Sequence, residues 1–470
     1  MSDESLPQLT KAPIPVQTHT LRIEERMAKG KALRDVAARI AQKEWKPPAN
    51  RADPVALLIE SSKGRMEELL PIRYGRMMVS PFTFYRGAAA IMAADLAHTP
   101  ATGLNLLAVG DCHLLNFGGF ATAERQLIFD INDFDEVSLA PWEWDVKRLV
   151  ASFVVAGRSN GFSPADCREA AWLAAQGYHQ RMADYAGMPT LQVWNDVFDF
   201  DELLKKFVDK DMKRFYTKKL ASATEQSAHE KEFAKLTFSA GDTPRIVDHP
   251  PLIFHYGDQR DKELFQIATD SLKGYRKNVS LGVRLLLDRF ALVDVAFKVV
   301  GVGSVGTVCG IMLLMSGKGD PLFLQFKQAR QSVLEPYCGA GPWEHAGERV
   351  VVGQRAIQAA GDMFLGWTTG TGKMKNRFYL RQLSDAKIKP VIEIMKPLNL
   401  KNYGGLCGRV LARAHARTCD PVVLASYMGK STAFEDALAD FGVAYAEQNE
   451  RDHAALIAAV RAGKIEARTE

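Results

Sequence analysis

Two apolar runs enclose a glycine-rich loop in this chain, and no other feature limits the fold so strongly. Residues 293–300 are apolar and β-branched, and Gly301-Val302-Gly303-Ser304-Val305-Gly306-Thr307 follows them. Residues 309–315 and 322–326 are apolar again, separated by the turn-like Gly317-Lys318-Gly319-Asp320-Pro321. A dinucleotide-binding fold needs its glycine loop to open a helix, so that the helix N-terminus meets the pyrophosphate. Here the residues after Gly306 continue extended, and Gly310 is a poor residue for an early helix turn. The pattern predicts strand, glycine loop, strand, turn, strand, with the third strand ending in Phe326-Lys327-Gln328-Ala329. A lysine at that strand end can reach the phosphates of a nucleotide lying under the loop. The plainer reading is a surface lysine, the usual fate of lysines.

A second constellation lies far upstream. Gly110-Asp111-Cys112-His113-Leu114-Leu115-Asn116 is followed, beyond a short apolar run, by Asp130-Ile131-Asn132-Asp133-Phe134-Asp135-Glu136. Mg²⁺ takes few protein oxygens and shares the rest of its shell with phosphate and water. Asn116 and Asp133 suit that metal, with Asp135 as a further ligand, while Asp111 can orient an attacking hydroxyl. Taken alone, Asp111 is as well explained as a turn cap, but Asn116 and Asp133 in phase with it weaken that explanation. Asp130 is either an extra metal-shell acid or a solvated turn residue. The apolar residues 104–109 and 126–129 read as strands, a hairpin-like platform carrying the acids on its turns.

Around these motifs the chain divides into a polar tail (1–20), an N-terminal helical segment (21–103), a mostly helical lobe with the acid loops (104–280), a β-rich lobe (281–398) and C-terminal helices (399–470). Within the N-terminal segment, residues 21–46 read as one helix stopped by Pro47-Pro48, residues 53–70 as another closed by Pro71, and residues 83–96 as a third. Residues 143–188 are helical with a break at 157–164, and residues 200–280 are charged and helical with a Pro-rich interruption near 243–251. The expected class is α+β.

Composition excludes several classes. With 60 basic and 55 acidic residues, the net charge of +5 gives no reason to expect nucleic acid. Six cysteines are scattered without a CxxC pair, as expected of reduced thiols in the cytoplasm. The N-terminus lacks a signal-peptide pattern, and no run approaches the ~18 apolar residues of a membrane span. The sequence is silent on oligomeric state.

Gly110-Asp111-x-His113-x-x-Asn116 resembles the catalytic loop of aminoglycoside phosphotransferases and related kinase-like enzymes, and Asp133-Phe134-Asp135 resembles their metal loop. That resemblance implies ATP and Mg²⁺ as ligands. It also implies catalytic roles for Asp111, Asn116 and Asp133, and nucleotide contacts from Gly301, Gly303, Ser304, Gly306 and Lys327. Asp135 stands where a glycine often follows Asp-Phe, which leaves the number of metal ions open. His113 is expected to buttress the loop, and Asp145, in Trp142-Glu143-Trp144-Asp145, resembles the helix aspartate that braces it. Either Glu348 or Glu335 would pair with Lys327. Residues 410–416, containing His415, resemble the helix that precedes the catalytic loop in such kinases, although His415 itself reads as a packed helix histidine. The glycine loop lies downstream of the acid loops, the reverse of the ordinary kinase order, so the resemblance implies a circularly permuted two-lobe kinase-like fold. The chain is also similar, nearly throughout, to the bacterial family called domain of unknown function 2252. The residues that carry this are 73–77, Ser80-Pro81-Phe82-Thr83-Phe84-Tyr85-Arg86-Gly87, 110–118 and Gly353-Gln354-Arg355.

Three classes of function compete. The first is an ATP- and Mg²⁺-dependent phosphotransferase acting on a hydroxyl-bearing small molecule or protein, with adenylyl transfer as a variant. The second is a nucleotide-binding protein without catalysis. The third is a metallophosphoesterase, because Gly110-Asp111-x-His113 matches that family's first motif and Gly257-Asp258-Gln259-Arg260-Asp261 imitates its second. Such an enzyme also needs an Asn-His pair, which this sequence with its ten histidines does not contain. Arg73, Arg76 and Arg86 stand among aromatics where apolar residues would be expected; they suit bidentate phosphate or carboxylate recognition on the substrate side, and inter-helix ion pairs explain them equally well.

Overall fold

The computed structural model describes residues 20–207, 216, 233, 236–240, 243–299, 301–372, 374–383 and 387–468. Apart from Thr20, the polar tail lies outside them, as does most of the charged region 208–235. The architecture is mixed α+β. A six-stranded antiparallel sheet runs in the order Gly366–Thr369, Arg377–Gln382, Pro321–Gln328, Cys309–Ser316, Phe290–Lys298, Ile253–Phe254. Strand periodicity explains how it packs. Met312 and Leu314 join one apolar cluster while Ile311 and Leu313 join another on the opposite face. Pro321–Gln328 alternates likewise: Leu322, Leu324 and Phe326 enter the first cluster, beneath the helix Gln259–Tyr275, so Gln325 and Lys327 point the other way.

The glycine loop is a strand-to-strand connection, as its sequence requires. Phe290–Lys298 pairs antiparallel with Cys309–Ser316, Phe297 opposite Gly310, and the described residues of the loop between them hold a 3-10 turn, Val302–Ser304.

The larger core is helical. Trp142–Ser159 is buried almost all round, and Pro397–Ala416 lies against Pro164–Ala186 so closely that a Cβ at Gly177 or Gly408 would strike the other helix's backbone. A buried ion pair between Arg413 and Asp130 ties Pro397–Ala416 to the strand Leu127–Ile131.

Several sequence expectations need correction. Residues 21–46 are not one helix: Ile23–Val36 ends before a separate 3-10 turn, Arg39–Lys43. Pro71 does not close a helix but sits in the first turn of Leu70–Met78, where its missing N–H is harmless. Residues 83–96 divide at Ala88 into Pro81–Gly87 and Ala89–Leu96. Thr237–Ala240 and Thr243–Ile246 form an unexpected hairpin in the supposedly helical region. The strand before the first acid loop, Asn105–Ala108, pairs with Ser138–Pro141 rather than with the strand 126–129 that was expected beside it. The inner hairpin is Phe117–Ala121 with Leu127–Ile131. Both acid loops therefore run between the same outer pair and the same inner hairpin. This brings them side by side.

Candidate active site

The first acid loop is shaped by its neighbours. Gly110 has φ 84°, a conformation only glycine takes without strain, and a Cβ there would collide with the Glu136 carbonyl of the second loop. Asp145 braces this turn as expected: its carboxylate accepts the Val109 and Gly110 amides at 2.6 and 2.9 Å. His415, on Pro397–Ala416, is packed and touches this brace, with Nε2 3.1 Å from Asp145 and Nδ1 2.9 Å from the Tyr178 hydroxyl.

Asp111 is held by a residue the motif did not reveal. Arg148 Nε and Nη2 both donate to Asp111 Oδ1, at 2.7 and 2.5 Å, while the guanidinium stacks over Tyr85. Arg148 lies three residues beyond Asp145, on the same face of Trp142–Ser159, a spacing that could have exposed it. The second oxygen, Oδ2, has His113 Nε2 at 3.9 Å. His113 Nδ1 accepts the Leu115 amide, so the proton sits on Nε2. Burial, then Arg148 and Arg86, push the His113 pKa far down and keep the ring neutral. Asn116 Nδ2 donates to the Asp111 carbonyl at 2.6 Å, leaving Oδ1 unpaired among the described residues.

Across from these residues stands Lys327. Its Nζ lies 2.8 Å from Asp135 Oδ2 and 3.8 Å from Asp133 Oδ1, joining segments 192 residues apart in the first case. Ser304 Oγ of the glycine loop donates to Asp135 at 3.1 Å, and the Tyr379 hydroxyl donates to it at 2.5 Å. Tyr379 and Arg381 reach the cleft because they stand opposite Lys327 and Gln325 in register. Against the penalty of burial, Lys327 and the hydrogen bonds from Lys327 and Tyr379 hold the Asp135 carboxyl down to about 2. Burial opposes the charge on Lys327, but Asp133 and Asp135 raise its pKa well above the usual value.

Three sequence expectations change here. Lys327 pairs with neither Glu348 nor Glu335. Glu335 instead faces Arg349 at 3.5 Å, and Glu348 stands in the first turn of Ala346–Ile357, one residue from that arginine. Arg349 does the holding, donating to the Val137, Asp135 and Arg330 carbonyls behind the second acid loop. Asp135, expected on the metal, has both oxygens committed to Lys327, Ser304 and Tyr379. Asp133 is the more open acid, its side chain 40% exposed, with its pKa raised by the surrounding protein and then by Asp135.

The glycine loop is fastened down as a roof. Val302 is buried in the cluster formed by Val55, Leu58, Met77, Phe84 and Leu456. Arg65 Nη1 donates to the Val305 carbonyl, and the Met66 amide donates to the Gly306 carbonyl at 2.7 Å. Beneath lies a cavity of about 870 Å³ lined by Asp111, Asn116, Asp133, Gly301, Gly303, Ser304, Lys327 and the three arginines Arg73, Arg76 and Arg86. Arg73 is chiefly an inter-helix tie, donating to Ser62 Oγ and the Gly87 carbonyl. The imitation second motif of a phosphoesterase is elsewhere: Asp258 caps Gln259–Tyr275 and does not line the cavity. Among the described residues, no three His, Cys, Asp or Glu side chains cluster as a metal site. An amide and one open carboxylate are nevertheless a donor set that suits Mg²⁺ already carrying phosphate oxygens.

Residues 65–459 match the family described as "Uncharacterized protein conserved in bacteria (DUF2252)". The chain belongs to that family. No curated protein and no solved structure matches it. The stretch matched to DUF2252 takes in the acid loops, the glycine loop, Lys327 and Asp145 together.

Glu136 offers a test of how tightly the loops are packed. Burial pushes its carboxyl up to about 6, against the Val333 amide that it accepts and the nearby Arg349. The folded state then holds the proton more tightly than the unfolded one, so this contribution is complete below 4.5 and fades as pH rises through about 6. Relative to Glu136→Gln, the wild type is expected to lose about 1.5 kcal/mol between pH 4.5 and 6.5. Urea unfolding of both proteins at pH 4.5 and 6.5 measures the difference; parallel pH dependences would show that Glu136 is solvated.

Proposed function

We propose that this protein is a phosphotransferase that binds Mg·ATP under the glycine loop and phosphorylates a hydroxyl placed against Asp111 Oδ2. The observation that carries the reading is the meeting of Lys327 with Asp133 and Asp135 beneath the roof. A glycine hairpin, a strand-borne lysine, an Asp-Asn loop and a second acid loop in one cleft are what kinase-like phosphoryl transfer uses. The order of these parts, with the nucleotide lobe after the acid loops, supports a circular permutation. So does His415, which comes from the helix following that lobe and meets Asp145 behind the first acid loop.

In this reading Asn116 Oδ1 and Asp133 hold the metal, which when bound neutralises charge building on the phosphates. Lys327 binds the α- and β-phosphates, and Asp135 keeps it aimed and charged. The acceptor oxygen forms a bond to the γ-phosphorus while its proton passes to Asp111 Oδ2. The bond from that phosphorus to the bridging oxygen breaks, and its electron pair leaves with ADP. All six cysteines are free thiols, in keeping with the cytoplasm. Among the described residues, no helix is long and apolar enough to cross a membrane.

Thermal denaturation with and without Mg·ATP is the first test. Nucleotide at about 100 times its Kd should add about 2.7 kcal/mol of stability, an effect lost with EDTA or in Asp133→Asn. Indifference to Mg·ATP would sink the proposal. Label from γ-³²P-ATP appearing on an acceptor supports phosphoryl transfer, whereas label from α-³²P-ATP would move the reading to adenylyl transfer.

A further inference from the structure

The charge of the cavity is lopsided. Ten basic residues line it against five acidic ones, and three of those acids are already engaged: Asp111 by Arg148, Asp135 by Lys327, and Glu136 by the Val333 amide. Mg·ATP, whose metal cancels part of its own phosphate charge, leaves a positive surplus.

That surplus has a focus. Arg86 lies in the last turn of the helix Pro81–Gly87 and lines the cavity that Lys327 also lines. Its guanidinium makes no hydrogen bond or ion pair with any described residue, and its Nε is buried without a partner. Burial lowers its pKa, Asp111 and Glu393 favour its charge through space, and Arg76 opposes it; the guanidinium remains charged throughout. A Cβ on Gly301 would stand 4.0 Å from Arg86 Nη2. One on Gly303 would stand 3.4 Å from the Arg86 carbonyl and 3.9 Å from Asp111 Oδ2. Arg86 thus borders the same opening as the oxygen of Asp111 that Arg148 leaves free. Lys389 adds a second cation at this cavity; burial lowers its pKa, and after burial Arg86 lowers it most. A buried guanidinium is normally matched by an anion, and its planar fork fits carboxylate or phosphate.

We infer that the acceptor is a small hydroxylated anion, whose phosphate or carboxylate docks on Arg86 while its hydroxyl meets Asp111 Oδ2. This rests on the phosphotransfer reading. It narrows the acceptor sharply: cationic amino sugars and choline-like alcohols would bring positive charge against Arg86 and Lys389, and are disfavoured by the same wall that selects anions.

Calorimetric titration of the full chain tests the inference, using inorganic phosphate, D-glycerate and choline, each with and without saturating Mg·AMP-PNP. The expected result is that phosphate or glycerate binds alongside the nucleotide and choline does not. Arg86→Gln should weaken the anion by about tenfold or more while leaving Mg·AMP-PNP affinity within about twofold, and Arg86→Lys should recover part of the loss. Phosphate tighter than glycerate points to a phosphorylated acceptor, and the reverse to a hydroxy acid. The inference is overturned if neither anion binds beside nucleotide, if choline binds better, or if Arg86→Gln costs nucleotide rather than anion affinity. If Mg·AMP-PNP itself does not bind, the phosphotransfer reading fails instead, and anion titration of the nucleotide-free wild type and Arg86→Gln still decides whether Arg86 is an anion site.

Discussion

Asp111→Asn is expected to lower Mg·ATP turnover by about 10²–10⁴-fold, the range usual for loss of a general base, with nucleotide affinity little changed. The same substitution removes the counter-charge of Arg148, which is almost fully buried and donates twice to Asp111. Breaking such a pair from one side costs about 3 kcal/mol or more. The two losses can be separated. Adding Arg148→Met should restore much of the stability, because the stranded guanidinium is gone, without restoring turnover. ADP release measured over a panel of hydroxy acids and phosphosugars gives the first quantity, and urea unfolding the second. Undiminished turnover in Asp111→Asn would remove this residue from the chemistry.

The second large effect is on stability alone. Arg413 and Asp130 are both buried, and Asp130 also accepts the Ile131 and Ala359 amides at 2.8 and 2.9 Å. Arg413→Ala leaves that carboxylate enclosed by apolar neighbours and is expected to cost about 3–5 kcal/mol. Asp130→Asn combined with Arg413→Met removes both charges and keeps an acceptor for one of the two amides, so it should recover part of the loss. Equilibrium unfolding in urea, read by tryptophan fluorescence, measures both variants. A cost below about 1 kcal/mol for Arg413→Ala would mean that the pair behaves like a solvated surface contact. Neither residue lines the cavity, so the effect reports on the scaffold and not on ligand binding.

Apolar runs broken by glycine were the most legible feature of the sequence. The hairpin around Gly301–Gly306 and the placing of Lys327 follow from which residues of 309–328 are apolar, and the fold bears out both. Asp145 was legible through its motif. What the sequence hid was pairing over distance. Lys327 finds Asp135 across 192 residues, and no local pattern distinguishes that acid from Glu335 or Glu348. Arg148 and Arg349 were hidden for a related reason: each sits beside a residue that drew attention, yet their buried guanidiniums serve backbone and carboxylate partners from other segments. The strand pairing of the platform was misjudged because short apolar runs reveal that they are strands, not which strand lies beside them. Pro71 was misjudged because proline opens helices as readily as it follows them.

The seating of Val302 bears on when the cleft comes into existence. Its pocket is assembled from residues as far apart as Val55, Leu456 and Ile465. During synthesis the acid loops emerge first and the glycine hairpin much later, and the seat of Val302 lacks its last members until Leu456, Ala459 and Ile465 have left the ribosome. A chain growing at about 5–20 residues per second therefore spends most of its synthesis with both acid loops made and the seat of the glycine loop incomplete. The cavity gains its finished wall late, when Leu456 and Ile465 join the cluster that holds Val302.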